Sequence, residues 1–305
     1  MTHTVHGLVP ILATPFGPDG SLDRAGLRRL VEFQLASGVD GVAVFGMASE
    51  GFALTTPERR TILADVAEVA GAAIPVVAGV NGTSTATALE QAREALSGGA
   101  RALMVLPPFM VKPGPDQLVQ FYGEVGAAAQ AAGAEVMVQD APGNTGVAMP
   151  PSLIVELSKL DGVTSVKVEA PPTVPKVGAV VDAIGEDDDF AVLGGQNAQF
   201  VLDEYARGSV GTMPACEFPD LLGPILATWN AGDRAGARAA FTGLLPLIVH
   251  GLQQGYAWAV HKEVLVRRGI IEHATVRLPA KPLDPGGRAL LEDVLAGLEL
   301  PRVKG

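Results

Sequence analysis

Hydrophobic positions along this chain follow two alternating periods. Short, nearly continuous apolar runs rich in valine and alanine are each followed by a longer stretch in which apolar residues recur every three to four positions. The runs are GLVPILATPF (7–16), GVAVFG (41–46), IPVVAGV (74–80), RALMVLP (101–107), EVMVQD (135–140), VTSVKVE (163–169), AVLGG (191–195) and VGTMP (210–214). Helical stretches follow them at 22–36, from 56 onward, and at 84–96, 115–132, 150–160, 173–184, 198–207 and 218–230. Ser21 or Asp19 is expected to cap the first helix. Thr56 is expected to cap the second, with Pro57 in the first turn, where its missing N–H costs nothing. Eight strand-then-helix units whose strands are apolar almost throughout describe parallel strands covered on both faces. They predict an α/β fold, a closed (β/α)8 TIM barrel. An open doubly wound sheet would carry a glycine fingerprint after its first strand, and TPFGPDGS contains no GxGxxG. Beyond residue 230 the pattern is helical only, at 234–250, 256–268 and 286–298. The expected organisation is one domain over 1–305, a barrel at 1–230 and a three-helix C-terminal extension at 231–305. The acidic tract at 186–189 reads as a solvated turn before the seventh strand.

Composition narrows the function. The 305 residues are 48% hydrophobic and 18% charged, with a net charge of −11. That acidity argues against nucleic acid as a partner, since phosphate binding needs clustered Lys and Arg. The one cysteine, Cys216, excludes an internal disulfide framework and a cysteine-based zinc site. No apolar run reaches the ~18 residues of a membrane span, and MTHTVHGLVPIL has no basic segment leading into an apolar one. A cytoplasmic protein is expected, with no membrane partner. His3, His6, His250, His261 and His273 include no pair at metal-ligand spacing and none at a strand end, so no metal or cofactor is expected. His250 and His261 read as packing or surface residues, Tyr256 and Trp258 as packing or interface residues. Cys216 lies near the rim without a histidine beside it in the pattern.

In a (β/α)8 barrel the active site lies where the strands end at their C-terminal side. The sixth strand carries Lys167 inside VTSVKVEA, an expensive place for an ammonium group. An outward edge position, a buried ion pair and a catalytic amine all account for such a lysine. Burial favours the neutral amine that a Schiff-base nucleophile requires. Glu169, one strand step further on, points to the same side, into the lumen. The fifth strand ends in Gln139 and Asp140, followed by Asn144 in a Pro/Gly turn. Met47, Ala48 and Ser49 follow the second strand, Gly195 and Gln196 the seventh, and Met213 the eighth. These are the candidate substrate contacts, the small residues after the second strand offering backbone N–H groups to an anion.

Taken together, PILATPF at 10–16, the G-x-x-x-E from Gly46 to Glu50, the Pro142/Thr145-Gly146 turn, Lys167 in the sixth strand and the three closing helices resemble the N-acetylneuraminate lyase / dihydrodipicolinate synthase superfamily. The resemblance implies a Schiff base between Lys167 and the C2 carbonyl of a 2-oxo acid, the acid's carboxylate at Ala48 and Ser49, and a homotetramer built as a dimer of dimers. The chain departs from that pattern where the family usually has a proton-relaying tyrosine, here Gln139. Met47 or Ala48 replaces its hydroxyl partner, Phe109-Met110 the aromatic lent across a subunit interface, and Asn144 the arginine that synthases use for a second carboxylate. V-Q-D-A-P, V-K-V-E-A-P-P and G-M-A-S-E are similar to the branch that dehydrates 2-keto-3-deoxy sugar acids, with L-2-keto-3-deoxyarabonate going to 2-oxoglutarate semialdehyde. Lys167, Glu169 and Gln139 are then the catalytic candidates. The alternatives are an aldolase of the same fold that releases pyruvate and a non-catalytic 2-oxo-acid-binding protein.

Overall fold

The computed structural model describes residues 3–185 and 189–303. Eight parallel strands run in order: β1 (Gly7–Leu8), β2 (Val42–Val44), β3 (Val76–Val80), β4 (Ala102–Val105), β5 (Glu135–Asp140), β6 (Val163–Val168), β7 (Ala191–Gly194) and β8 (Gly211–Thr212). The helices are α1 (Arg24–Ala36), α2 (Thr56–Ala70), α3 (Thr85–Ser97), α4 (Pro115–Ala131), α5 (Pro142–Thr145), α6 (Pro151–Leu157), α7 (Thr173–Ile184), α8 (Val201–Ala206), α9 (Pro219–Asn230), α10 (Arg234–His250), α11 (Ala257–Arg267) and α12 (Pro285–Ala296). From β2 to β8 each strand pairs with its neighbour in sequence, and β1 pairs with β8. Closure between β1 and β2 uses the segment after β1: Ile11 bridges to both Ala43 and Ala215, while the Ala43 N–H donates to the Pro10 carbonyl at 2.9 Å. The fold is the (β/α)8 barrel with C-terminal helices that the pattern predicts.

Two details differ locally. The first strand is far shorter than the 7–16 run, because Pro10 and Pro15 lack the N–H that a continuous ladder requires. Helix caps shift by a residue or more. Asp23 caps α1, its carboxylate accepting from the Gly26 N–H at 2.8 Å. Thr55, rather than Thr56, caps α2 in a reciprocal capping box with Glu58. Three of the four acidic residues at 186–189 lie outside the described residues. Among the described residues no helix is long and apolar enough to cross a membrane.

The apolar residues sort by strand parity into two layers. Val42, Val44, Val76, Ala78, Val136, Val138, Val166 and Val168 face outward into the strand–helix layer. Val9, Ile11, Ala43, Val77, Ala102, Met104, Met137, Ala191, Leu193 and Met213 fill the lumen. The barrel interior is therefore a packed plug, with a polar mouth only where the strands run out.

The C-terminal helices grip that mouth. Glu50, with a left-handed backbone (φ 54°), is fully buried and receives Lys262 of α11 through a close ion pair and the Arg277 N–H at 2.8 Å. Lys262 also donates to the Thr275 carbonyl at 2.7 Å, and both Lys262 and Arg277 lie over the Phe16 ring, 4.2 and 4.1 Å from its centre. Burial pulls the Lys262 ammonium down to about 8, against the pull of Glu50. Removing one member of such a pair leaves a buried charge without compensation. Lys262→Met is expected to lower the unfolding free energy by about 3–5 kcal/mol, read as a lower urea midpoint at unchanged slope. A midpoint within error of the parent protein would show that the pair contributes nothing net.

Candidate active site

Lys167 and Gln139 sit side by side in the β5–β6 register, and both side chains take the lumen parity of Met137 and Ser165. Glu169 follows on the same face just past the end of β6. The Lys167 ammonium lies 3.2 Å from Glu169 Oε1, and the Gln139 amide Nε2 donates to Glu169 Oε2 at 2.7 Å. All three are buried, Lys167 to 3% exposure and Glu169 to 7%. One carboxylate thus holds an amine on one oxygen and an amide on the other. An amine, a carboxylate able to take a proton from carbon, and a neutral donor are assembled at one mouth.

The loops after β2 and β7 carry every non-glycine residue with positive φ among those described: Phe45, Glu50, Gln196, Asn197 and Ala198, between 49° and 63°. Such backbone costs of order 1–3 kcal/mol per residue and persists only where the surroundings dictate it. Asn197 is dictated from two sides, accepting from the Ala215 N–H at 2.9 Å and donating to the Ile248 carbonyl at 3.0 Å. The Gln196 amide donates to the Glu169 carbonyl at 2.9 Å. Gly195 must lack a side chain, since a Cβ there would stand 2.3 Å from Glu169 Cγ. After β2, a 3₁₀ turn at Met47–Ser49 directs the chain over the mouth.

A cavity of about 360 Å³ opens here, lined among others by Met47, Ala48, Lys167, Glu169, Gln196 and Met213. Gln139 reaches it through Glu169. Two expected contacts do not line it. The Ser49 side chain is buried, its N–H is taken by the Gly46 carbonyl at 3.1 Å and its carbonyl by Thr14 Oγ1 at 2.6 Å. Gly195 meets Glu169 rather than open space. A carboxylate anchored on this turn therefore falls to Met47 and Ala48. Asp140 has the opposite parity from Gln139 and pairs with Lys176 of α7 at 2.5 Å, behind the barrel wall. Burial pushes its carboxyl up while Lys176 draws it down. Cys216 is sealed in, its thiol raised by burial and its Sγ accepting from the Ala13 N–H at 3.2 Å.

The cavity is also lined by Trp258, expected as a packing or interface residue, and His261, expected as a packing or surface residue. Trp258 Nε1 donates to the Met47 carbonyl at 2.5 Å, and its ring meets Phe52 edge-on with centres 5.2 Å apart. His261 lines the wall with Asn197, Leu252 and Gln254. A second cavity of about 550 Å³ adjoins the first, sharing Met47, Asn144 and Trp258. Periodicity gave no sign of Trp258 or His261, since both fit an ordinary helix face.

Comparison with known proteins places these features. The model of the dihydrodipicolinate synthetase family matches residues 4–297. L-2-keto-3-deoxyarabonate dehydratase of Azospirillum brasilense is 30% identical over 289 residues, 93% of this chain and 92% of that one. The 4-hydroxy-tetrahydrodipicolinate synthase of Koribacter versatilis is 31% identical over 296 residues, 96% and 95% of the two chains. Among solved structures, dihydrodipicolinate synthase from Rhodopseudomonas palustris superposes with a TM-score of 0.88 at 28% identity, covering 97% of this chain and 98% of that one.

Behind the site stands a second buried carboxyl. Glu204 of α8 accepts from Thr173 Oγ1 at 2.6 Å, and its other oxygen, without a hydrogen-bond partner, presses on Gly194, where a Cβ would stand 1.9 Å away. Burial, helped by the charge of Glu169, raises this group to about 7. Between about pH 4.5 and 7 the folded chain therefore holds a proton that the unfolded chain has lost. Stability falls as pH rises through that window, by up to about 3 kcal/mol. Glu204→Gln keeps the shape without the charge. Its urea stability relative to the parent protein is expected to increase from pH 4.5 to 7.5, and a difference that stays flat with pH would refute the assignment.

Proposed function

The chain belongs to the dihydrodipicolinate synthetase family, and from that premise we propose that it is a Schiff-base dehydratase of a 2-keto-3-deoxy sugar acid. The substrate proposed is L-2-keto-3-deoxyarabonate, converted to 2-oxoglutarate semialdehyde and water. The observation that carries this reading is the Gln139–Glu169 hydrogen bond. It puts an amide where the resemblance implies a phenol, and an amide neither gives nor takes protons at ordinary pH. A retro-aldol cleavage must deprotonate the C4 hydroxyl, and a synthase must shuttle protons at the Schiff base. A dehydration asks only that a base remove a proton from carbon and that a hydroxyl depart.

The residues supply those steps in order. Lys167 condenses with the C2 ketone, releasing water and leaving an iminium ion. The substrate carboxylate rests on the Met47–Ala48 turn, whose N–H groups stand at the start of a 3₁₀ turn. The iminium acidifies C3, and Glu169, 3.2 Å from the lysine nitrogen, takes that proton to give the enamine. The enamine electrons expel the C4 hydroxyl as water. Loss of a proton from C5 to water gives a dienamine, and Glu169 returns its own proton to C3. Hydrolysis from Lys167 then releases an enol, which becomes the aldehyde. Gln139 keeps Glu169 turned toward C3 throughout. The relationship to the Azospirillum brasilense dehydratase along 93% of this chain supports the same reading.

Borohydride added with pyruvate or a 2-keto-3-deoxy acid is expected to fix an adduct on Lys167, seen as a mass increase on its peptide, and Lys167→Ala to abolish it. Turnover of 2-keto-3-deoxypentonates should yield a semialdehyde with no pyruvate. Glu169→Gln should cut kcat about 10²–10⁴-fold while the adduct still forms. Stoichiometric pyruvate, read with lactate dehydrogenase, would make the enzyme an aldolase.

A further inference from the structure

The proposed dehydration leaves one proton unassigned. Glu169 takes a proton from C3, Gln139 cannot give one, and the departing C4 oxygen must still become water. His261 supplies a candidate from outside the barrel. Its Nδ1 is 2.7 Å from Glu217 Oε1, and both side chains are buried. Among the described residues its other ring nitrogen, Nε2, makes no hydrogen bond to protein, and His261 forms part of the cavity wall together with Lys167 and Glu169. Gly251 backs the ring closely enough that a Cβ there would touch Cε1 at 2.9 Å. The backbone of Glu217 is fixed in turn, its carbonyl accepting from Arg268 at 2.6 Å while that arginine grips Asp220. A carboxylate accepting from Nδ1–H holds the ring in place and leaves Nε2 as the nitrogen that exchanges a proton with a bound ligand, carrying one when the ring is protonated.

We propose that His261, held by Glu217, is the general acid that protonates the departing C4 hydroxyl. This rests on the dehydratase reading. In the step, the enamine pair forms the C3=C4 bond and regenerates the C2 iminium, the C4–O bond breaks toward oxygen, and the Nε2 proton passes to that oxygen. Water leaves, His261 is left neutral, and nothing is oxidised or reduced. The charged groups around His261 are Glu217 from the loop before α9, Lys167 and Glu169 from the end of β6, which share its cavity, and Lys262 next to it on α11, paired with Glu50 from the loop after β2.

The test separates this acid from the Schiff base. Three measurements are made on the full-length enzyme: borohydride trapping on Lys167, deuterium exchange at C3 of pyruvate followed by NMR, and dehydration of the 2-keto-3-deoxypentonate. His261→Gln is expected to keep adduct and exchange within about threefold while kcat for dehydration falls about 10²–10⁴-fold. The fall of kcat at high pH should vanish with it. Glu217→Gln takes the charge away from Nδ1, and the basic limb of its kcat profile is expected to move. If His261→Gln does not fold, the wild-type and Glu217→Gln pH profiles carry the test. Dehydration that survives in His261→Gln, exchange that falls in step with it, or a basic limb that Glu217→Gln leaves in place would each overturn the assignment. A wild-type enzyme that forms the adduct and exchanges C3 but dehydrates nothing overturns the dehydratase reading, and the acid with it. Trapping and exchange that persist without dehydration in the variant alone leave both standing.

Discussion

An ammonium group at the top of an apolar lumen is tolerated only beside a carboxylate, and the 3.2 Å contact between Lys167 and Glu169 is the interaction around which the mouth of this barrel is arranged. Desolvating two charges costs more than a comparable apolar pair, so such contacts are poor stabilisers. This one is surrounded by parts that serve only to hold it. Gln139 reaches from β5 to one carboxylate oxygen, Gly195 at the end of β7 clears the space the carboxylate fills, and the Gln196 amide takes its backbone carbonyl. Three consecutive strand ends are thereby committed to the orientation of one acid. Below them the lumen is filled with Ala, Val, Leu and Met side chains that exclude water and strengthen every charge–charge contact above.

The barrel does not complete the mouth by itself. The loops after β2 and β7 are bent through left-handed positions that their own sequences do not favour, and contacts from elsewhere in the fold hold them there. Lys262 and the Arg277 N–H fix Glu50, Trp258 fixes the Met47 carbonyl, and the Ile248 carbonyl fixes Asn197. His261 reaches the loop after β8 through Glu217. The helices after residue 230 are thus a collar on the catalytic face, and the geometry of the pocket depends on their docking as much as on the strands.

That dependence explains which parts were legible in the sequence. Strand and helix alternation is a local signal, and all eight units appear where the apolar runs stand, with the proline-interrupted first strand and the eighth reduced to two residues each. The Lys167–Glu169 pair is equally local, since two residues on one strand share a face by geometry. Ser49 was misplaced because a 3₁₀ turn rotates successive side chains by about a third of a turn, which no spacing rule for strands anticipates. Trp258, His261 and Lys262 were invisible for a different reason. Their partners Met47, Glu217 and Glu50 lie 211, 44 and 212 positions away, and on α11 they keep an ordinary helical rhythm. A buried lysine in an extension helix was the one available hint, and it points to an unknown partner without naming it.

The amide of Gln139 also limits what the site can become. A phenol at that position could accept a proton from one atom and return it to another, so a single side chain would serve both carbon and oxygen. An amide only orients. Proton traffic in the proposed reaction is then divided: Glu169 serves carbon beside the lysine, and the proton destined for oxygen is assigned to His261. That division favours elimination, in which the proton lost from C3 and the proton gained by the C4 oxygen are handled at different places and at different moments. It disfavours aldol cleavage, in which the oxygen must give up its proton as the carbon–carbon bond opens. The acidic surface adds nothing to this selection. With a net charge of −11 the protein would repel the anionic substrate proposed for it at long range. Under the proposed function, capture then falls to the short-range N–H groups of the Met47–Ala48 turn.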